Sequence, residues 1–363
     1  MRPRVPVAVV GASGYTGSEL LRILLHHPDV EVVSVTAKRA AGQRLDQVFP
    51  QLRGVSTASI DAFDAAQVAA RAQVAFAALP HGESARVVAA LHERGVTVLD
   101  LSADFRLRDA ALWRQWYGDA EHAEHPAVGL LRQAIYGAPE LHRAELVRAA
   151  EARAAGQVPL VAVPGCYPTA TLLAIAPLVR AGLVEPGELI VDAKSGVSGA
   201  GRSPGLGTHF AEIAEGLRAY KVGGAHRHTP EMEQELGAVA GQPLTLLFTP
   251  HLVPMARGIL SCVYARPRGD GDPARFHRAL VDAYRDEPFV SVLPPGALPD
   301  TAHVRGSNRA HVTAVYDARS RRVLALGAID NLVKGAAGQA VQCMNLVLGF
   351  DETAGLLQAP MFP

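Results

Sequence analysis

Cysteine is scarce in this chain: Cys166, Cys262 and Cys343 are the only three in 363 residues. An odd, widely spaced set offers no disulfide framework and fits a reducing, cytoplasmic setting. Charge of one sign is also missing, since Lys plus Arg and Asp plus Glu both number 35 and the net charge is zero. Without a basic excess there is no electrostatic footprint for nucleic acid or for an anionic membrane, so any anion must be held by local groups. No uninterrupted apolar run is long enough to span a bilayer. Met1-Arg2-Pro3-Arg4 runs directly into a strand-like segment, so no secretory leader is expected. There is no H-E-x-x-H, and the Arg between His226 and His228 would repel a cation, so no metal site is expected.

What is present is core material. Hydrophobic residues make up 49% and charged residues 19%, enough for a sizeable interior. At roughly 150 residues per domain the length suggests two domains.

The first half alternates strand and helix. Val5 to Val10 is a short Val-rich run of the kind that forms a buried parallel strand. It ends in Gly11-Ala12-Ser13-Gly14-Tyr15-Thr16-Gly17, and a helix pattern follows with Leu20, Leu21, Leu24 and Leu25 on one face. A strand over Val30 to Thr36 completes a β-α-β unit. Glycines let the backbone approach a pyrophosphate, and the helix N-terminus faces its charge. The spacing is G-x-x-G-x-x-G rather than G-x-G-x-x-G. The second strand ends in Thr36-Ala37-Lys38-Arg39, with two cations where an NAD site would place an acid. That suits the 2′-phosphate of NADP; a solvated basic turn is the alternative. Strands over 74–79 and 96–101 follow, each leading to a loop at the carboxyl edge of the sheet, where ligands bind. These loops carry Pro80, His81 and Arg106. A satisfied turn histidine, and a surface ion pair of Arg106 with Asp104 or Asp109, are the plainer readings.

Gly165-Cys166-Tyr167-Pro168-Thr169-Ala170 lies between two apolar runs. It reads as strand, turn and helix, with the sulfur at a helix start, where amides and the dipole favour a thiolate nucleophile. A buried cysteine acting as a small apolar side chain would show the same local pattern. Beyond it come a strand over 189–194 and the Gly/Ser loop Ser195 to Arg202, read either as an anion nest or as a linker. In Tyr220 to Glu231, Thr229 is expected to cap a helix with Pro230 at its first position. That leaves His226 and His228 just outside a positive helix end, which lowers an imidazole pKa. Further strands are expected over 244–249, 258–265, 311–316 and 323–329, with helices over 275–284 and 335–348; Cys262 and Cys343 are expected in the core. The fold class is therefore α/β: a Rossmann-type dinucleotide-binding domain, and a second α+β domain with a mostly antiparallel sheet. Residues 1–164 plus 334–363 form the first domain and 165–333 the second.

Several motifs occur in one order: G-A-S-G-Y-T-G from Gly11, L-P-H-G from Leu79, S-A-D-F-R from Ser102, P-G-C-Y-P-T-A from Pro164, S-G-V-S-G-A-G-R from Ser195, H-R-H-T-P-E from His226, R-G-S-N from Arg305 and D-N-L-V-K-G from Asp330. With them the chain resembles, essentially end to end, the N-acetyl-γ-glutamyl-phosphate reductase family of the aspartate-semialdehyde dehydrogenase superfamily. The resemblance implies Cys166 as nucleophile and His226 as its acid/base partner. It places His228, Tyr220, Arg106 and Arg202 at the substrate. Gly11, Ser13, Gly14, Tyr15, Thr16, Lys38, Arg39, Pro80, His81, Ser198, Gly199 and Asn331 fall at NADP. It implies NADPH-dependent reduction of an acyl phosphate to a semialdehyde through a cysteine thioester, in arginine biosynthesis. A small-molecule substrate and a homo-oligomer, dimer or tetramer, go with it. A relative acting on carrier-bound aminoadipyl phosphate in lysine biosynthesis tends to show G-C-N where this chain has Gly165-Cys166-Tyr167. A Cys-His acyl hydrolase that binds no dinucleotide is the remaining alternative.

Overall fold

A computed structural model describes residues 3–118, 124–269 and 271–362. It divides into two units: Met1–Pro164 with Ala336–Leu357, and Gly165–Gly335 with Gln358–Pro363. The tail from residue 334 is expected wholly in the first domain. Instead the chain re-enters at Ala336, and its last stretch groups with the second unit, where the Met361 N–H donates to the Arg305 carbonyl at 2.8 Å. Among the described residues no helix is long and apolar enough to cross a membrane.

The first unit is built on a parallel sheet. Its strands are β1 (Val5–Val10), β2 (Val30–Thr36), β3 (Val74–Ala77), β4 (Thr97–Asp100), β5 (Ile135–Tyr136) and β6 (Leu160–Ala162), in the order β2-β1-β3-β4-β6-β5. β3 and β4 are buried at every position. This explains why they read as apolar runs without alternation: a parallel sheet is covered on both faces. From β1 the chain turns to β2 on one side and to β3 on the other, so the strand order reverses at β1, and the crevice at a reversal point is where such sheets take ligands. The helices Tyr15–Leu24 and Glu83–His92 begin at the carboxyl ends of β1 and β3. The Gly338–Leu348 helix packs on the Pro139–Ala154 helix, with Cys343 Sγ 3.2 Å from the Gly137 carbonyl and Asn345 Oδ1 3.0 Å from His27 Nε2. Of the stretch 119–157, left open by sequence, 119–123 lie outside the described residues; β5 and the Pro139–Ala154 helix lie in the remainder.

The second unit carries a mixed sheet: β7 (Leu189–Gly196), β8 (Arg218–Ala219), β9 (Leu246–Val253), β10 (Ile259–Ala265), β11 (Val290–Val292), β12 (Ala310–Asp317) and β13 (Arg322–Ile329). The order is β11-β12-β13-β10-β7-β9-β8, antiparallel except for the pairs β11/β12 and β7/β9. Helices Cys166–Arg180, Thr229–Ala240 and Pro273–Tyr284 pack together on one face, through Thr171 Oγ1 to Ser261 Oγ at 2.9 Å and Tyr284 Oη donating to the Leu173 carbonyl at 2.7 Å. β10 alternates buried and half-buried residues. Cys262 sits on the half-buried side, where a core position was expected, because the period-two pleat turns it away from Ser261.

Candidate active site

Cys166 is the first residue of its helix, and Gly165 is the N-cap. No side chain caps this end from within the motif. The Gly165 N–H instead donates to Glu231 Oε1 at 2.8 Å, a carboxylate buried in the helix that follows His228. A Cβ on Gly165 would stand 2.5 Å from His228 Nε2, so the imidazole lies flat against the residue before the nucleophile. Only glycine permits that approach. The expected Thr229 cap is not what forms: His228 is the N-cap, with helical dihedrals, Thr229 is the first helical residue, and Pro230 is second.

An aromatic cluster surrounds this point. His226 lies 4.9 Å from His228, 5.4 Å from Tyr167, 5.5 Å from Tyr220 and 5.1 Å from Phe248, ring centroid to centroid. Tyr220 Oη donates to Tyr167 Oη at 3.1 Å, and Tyr167 Oη donates to the His251 carbonyl at 3.1 Å. Burial holds both phenols protonated, and the nearby charge of Cys166 adds to the effect; Tyr220 is pushed up to about 12. Burial, and then the Lys221 ammonium, lower His226 to about 4. Its ring is therefore neutral at pH 7. His226 Nδ1 accepts the His228 N–H at 3.1 Å, which leaves the ring hydrogen on Nε2. The acid/base partner expected from the resemblance is here a neutral Nε2 donor, because burial and then the Lys221 ammonium lower its pKa in the same direction as the helix end, past neutrality.

Elsewhere in this unit, β7 runs through Gly196, so the expected open loop from Ser195 is shorter and begins with a 3-10 turn over Val197–Ala200. Ser198 Oγ accepts from Asn331 Nδ2 at 2.9 Å, and Asn331 Oδ1 accepts the Gly258 N–H at 2.8 Å. Gly199 lies beside this pair, while Arg202 is exposed beyond it.

In the first unit the glycine turn is tied to both neighbouring strands. Gly11 has φ +82°, its N–H and that of Ala12 bond the Thr36 carbonyl at 2.9 and 3.0 Å, and a Cβ on it would collide with the Ala78 carbonyl oxygen. Gly14 is the N-cap of Tyr15–Leu24, without a side-chain cap, and nothing lies within 4 Å of where its Cβ would stand. A helix start without a side-chain cap, and with room at Gly14, fits a dinucleotide pyrophosphate. Ser13 and Thr16 are half-buried on this turn and Tyr15 is exposed. Lys38 and Arg39 are exposed after β2, with Lys38 Nζ 3.3 Å from Glu83 Oε1. Pro80 is exposed, and His81 packs edge-on against Tyr117 at 5.7 Å. Arg106 is buried, not at the surface, and donates from Nε to the Val163 carbonyl at 2.7 Å and from Nη2 to the Leu101 carbonyl at 2.9 Å.

Sequence alone misses Glu231, Phe248, His251 and Asp104 as members of these clusters. Glu231 and Asp104 stand inside quoted motifs, but their partners are 66 and 22 residues away, and no local spacing announces such pairs.

Known proteins resemble this chain over both units. A model of the semialdehyde dehydrogenase NAD binding domain matches residues 6–149, and one of the semialdehyde dehydrogenase dimerisation domain matches 166–331. The chain is 49% identical to the N-acetyl-gamma-glutamyl-phosphate reductase of Desulforudis audaxviator, over 99% of this chain and 100% of that protein. It is 48% identical to that of Geobacter metallireducens, over 98% and 99%. The fold matches aspartate semialdehyde dehydrogenase II of Vibrio cholerae (TM-score 0.69, 20% identity, 95% of this chain and 98% of that one). It also matches the Candida albicans enzyme solved with NADP (TM-score 0.70, 15% identity, 95% and 98%). The chain belongs to the semialdehyde dehydrogenase family, on its N-acetyl-γ-glutamyl-phosphate reductase branch.

Proposed function

We propose that this protein reduces N-acetyl-γ-glutamyl phosphate to the 5-semialdehyde with release of phosphate, in arginine biosynthesis, and that Cys166 is the nucleophile. The observation that carries this is the nucleophile's address: Cys166 opens a helix whose N-cap is packed flat against His228. The sulfur attacks the acyl carbon, the carbon–oxygen bond to phosphate breaks, and phosphate leaves with the electron pair, giving a thioester. The tetrahedral oxygen formed on the way is served by amides of the first helical turn and by His226 Nε2–H. NADPH, when bound, supplies the hydride. The resulting thiohemiacetal alkoxide collapses by expelling the Cys166 thiolate, so aldehyde forms without a proton transfer. A neutral histidine suffices for that chemistry, as a hydrogen-bond donor to oxygen. Tyr220 and Tyr167 keep their protons and brace the ring, and His228, Arg106 and Arg202 serve the substrate.

The cofactor would rest on Gly11, Ser13, Gly14, Tyr15 and Thr16, with Lys38 and Arg39 at the 2′-phosphate. Pro80, His81, Ser198, Gly199 and Asn331 complete that set. Assembly into a homo-oligomer belongs to the same reading. It is supported by the dimerisation model matched over the second unit and by exposed Ile190, Leu247 and Val315 on its sheet.

The test is Cys166→Ser. It is expected to retain NADP+ binding and lose phosphate-dependent oxidation of N-acetylglutamate semialdehyde by at least about a thousandfold, the scale of losing a covalent nucleophile. Turnover close to wild type in that variant rules out the thioester. A Cys-His acyl hydrolase is distinguished by failing to bind NADP+ at all.

A further inference from the structure

Two helices of the first unit begin at the carboxyl ends of the adjacent strands β1 and β3, and their N-termini are treated in opposite ways. The Tyr15–Leu24 end is uncapped and open at Gly14. The Glu83–His92 end, with Gly82 as N-cap at φ +83°, is filled by a side chain from the loop after β4. Asp104 accepts the Gly82 N–H on both oxygens, at 2.9 and 2.8 Å, and the Ala85 N–H on Oδ2 at 2.9 Å. Asp100, the last residue of β4, adds a second clasp: it accepts from Ser84 Oγ at 2.7 Å and from Ser102 Oγ at 2.7 Å. Ser102 Oγ in turn accepts the Asp104 N–H at 3.1 Å. Both carboxylates are fully buried.

We infer that Asp104 is a positioning residue for dinucleotide binding: it closes the second helix N-terminus to anions and pins the Pro80-His81-Gly82 turn, leaving one open phosphate site at the glycine turn. The inference rests on the reading that the turn after β3 holds NADP. Its physical basis is that two neighbouring sets of free amides would compete for one pyrophosphate. A buried carboxylate satisfies one set permanently and sets the turn through a backbone position that only a held glycine adopts. The groups that bear on Asp104 are the Asp100 carboxylate, with Arg106 acting on that carboxylate in turn, the Gly82 and Ala85 N–H groups, the Trp113 indole of the Ala110–Tyr117 helix, and His125, whose Nε2 lies 2.9 Å from the Asp104 carbonyl. Burial and then Asp100 raise Asp104 to about 6, while burial lowers His125 to about 4. Protonation costs Asp104 its charge-assisted amide bonds but relieves its burial and the repulsion of Asp100, so the protection of the turn changes as pH falls through that region.

The test compares wild type, Asp104→Asn and, as control, Asp272→Ala, which removes a local cap of the Pro273–Tyr284 helix in the second unit. NADP+ is titrated calorimetrically, and hydrogen exchange is followed over residues 78–88, near neutrality and about two pH units lower. Asp104→Asn is expected to raise the NADP+ Kd at least about fivefold near neutrality, with a smaller ratio at low pH, and to speed exchange in the turn. Asp272→Ala is expected to change neither. Taking the ratio of the two proteins cancels the 2′-phosphate's own titration. An unchanged Kd in Asp104→Asn overturns the inference and leaves the cofactor reading intact; wild type that fails to bind NADP+ overturns that reading first. Should Asp104→Asn not fold, wild-type turn protection that stays constant between the two pH values, after correction for intrinsic exchange, overturns the inference.

Discussion

Glu231 holds the backbone N–H of Gly165 at 2.8 Å, so a single carboxylate joins the residue before the nucleophile to the helix that follows the two histidines. The bond fixes where Cys166 starts its helix relative to His226 and His228. A buried donor left without its acceptor costs about 1–3 kcal/mol. Glu231→Ala is therefore expected to lower thermal stability and to cut kcat on the order of tenfold or more. Glu231→Gln, which keeps an acceptor, is expected to recover much of both. Equal kcat in the two variants would show that the clasp does not position the nucleophile.

Gly165→Ala tests the packing between helix start and imidazole. The new methyl would stand 2.5 Å from His228 Nε2 and 2.7 Å from Cε1, so the ring must move. Overpacking of this kind costs about 1–3 kcal/mol. The variant is expected to fold, to keep its NADP+ affinity, and to lose kcat/KM by one to two orders of magnitude. Steady-state kinetics alongside circular dichroism would read both.

The pH dependence follows from the buried groups. Burial lowers the folded pKa of His226 to about 4, below the ordinary histidine value of 6.5. Its contribution to stability is present above 6.5 and is lost as pH falls toward 4, because the unfolded chain binds the extra proton first; the loss is at most about 3 kcal/mol. Asp104, raised to about 6 from 3.8, works in the opposite sense: its contribution is present below 3.8 and is lost as pH rises through 6. His226→Gln is expected to flatten the acid side of the stability curve between pH 6.5 and 4, measured by urea unfolding. An unchanged slope would mean that the ring is not buried neutral.

Cofactor choice is expected to sit on the turn after β2. Lys38 is exposed and within 3.3 Å of Glu83, and Arg39 beside it is exposed. Replacing both with Ser is expected to raise the KM for NADPH about tenfold or more, since charge-assisted phosphate contacts are lost, and to leave the KM for NADH nearly unchanged. A parallel rise for both cofactors would place the 2′-phosphate elsewhere.

Much of the fold was legible because its signals are local. The apolar runs of β1, from Val7 onward, and of β3 are buried at every position, the glycine turn needs its positive φ at Gly11, and Cys166 follows a strand and a glycine. What misread was also local. Thr229 has the chemistry of a cap, yet His228 takes the position, since the chain enters the helix already in helical dihedrals. Cys262 lies in an apolar strand, but the pleat sends it to the half-buried face, and which face a sheet covers is set by distant helices.

The order of the residues alone determined the two-part architecture, the helix start under Cys166 and the cationic end of β2, because each depends on neighbours within a few positions. Tertiary structure alone decided that Glu231 clasps Gly165, that Asp104 closes the neighbouring helix end, and that His226 is neutral with its hydrogen on Nε2. Those outcomes depend on desolvation and on partners brought from far along the chain, and neither leaves a mark in local spacing.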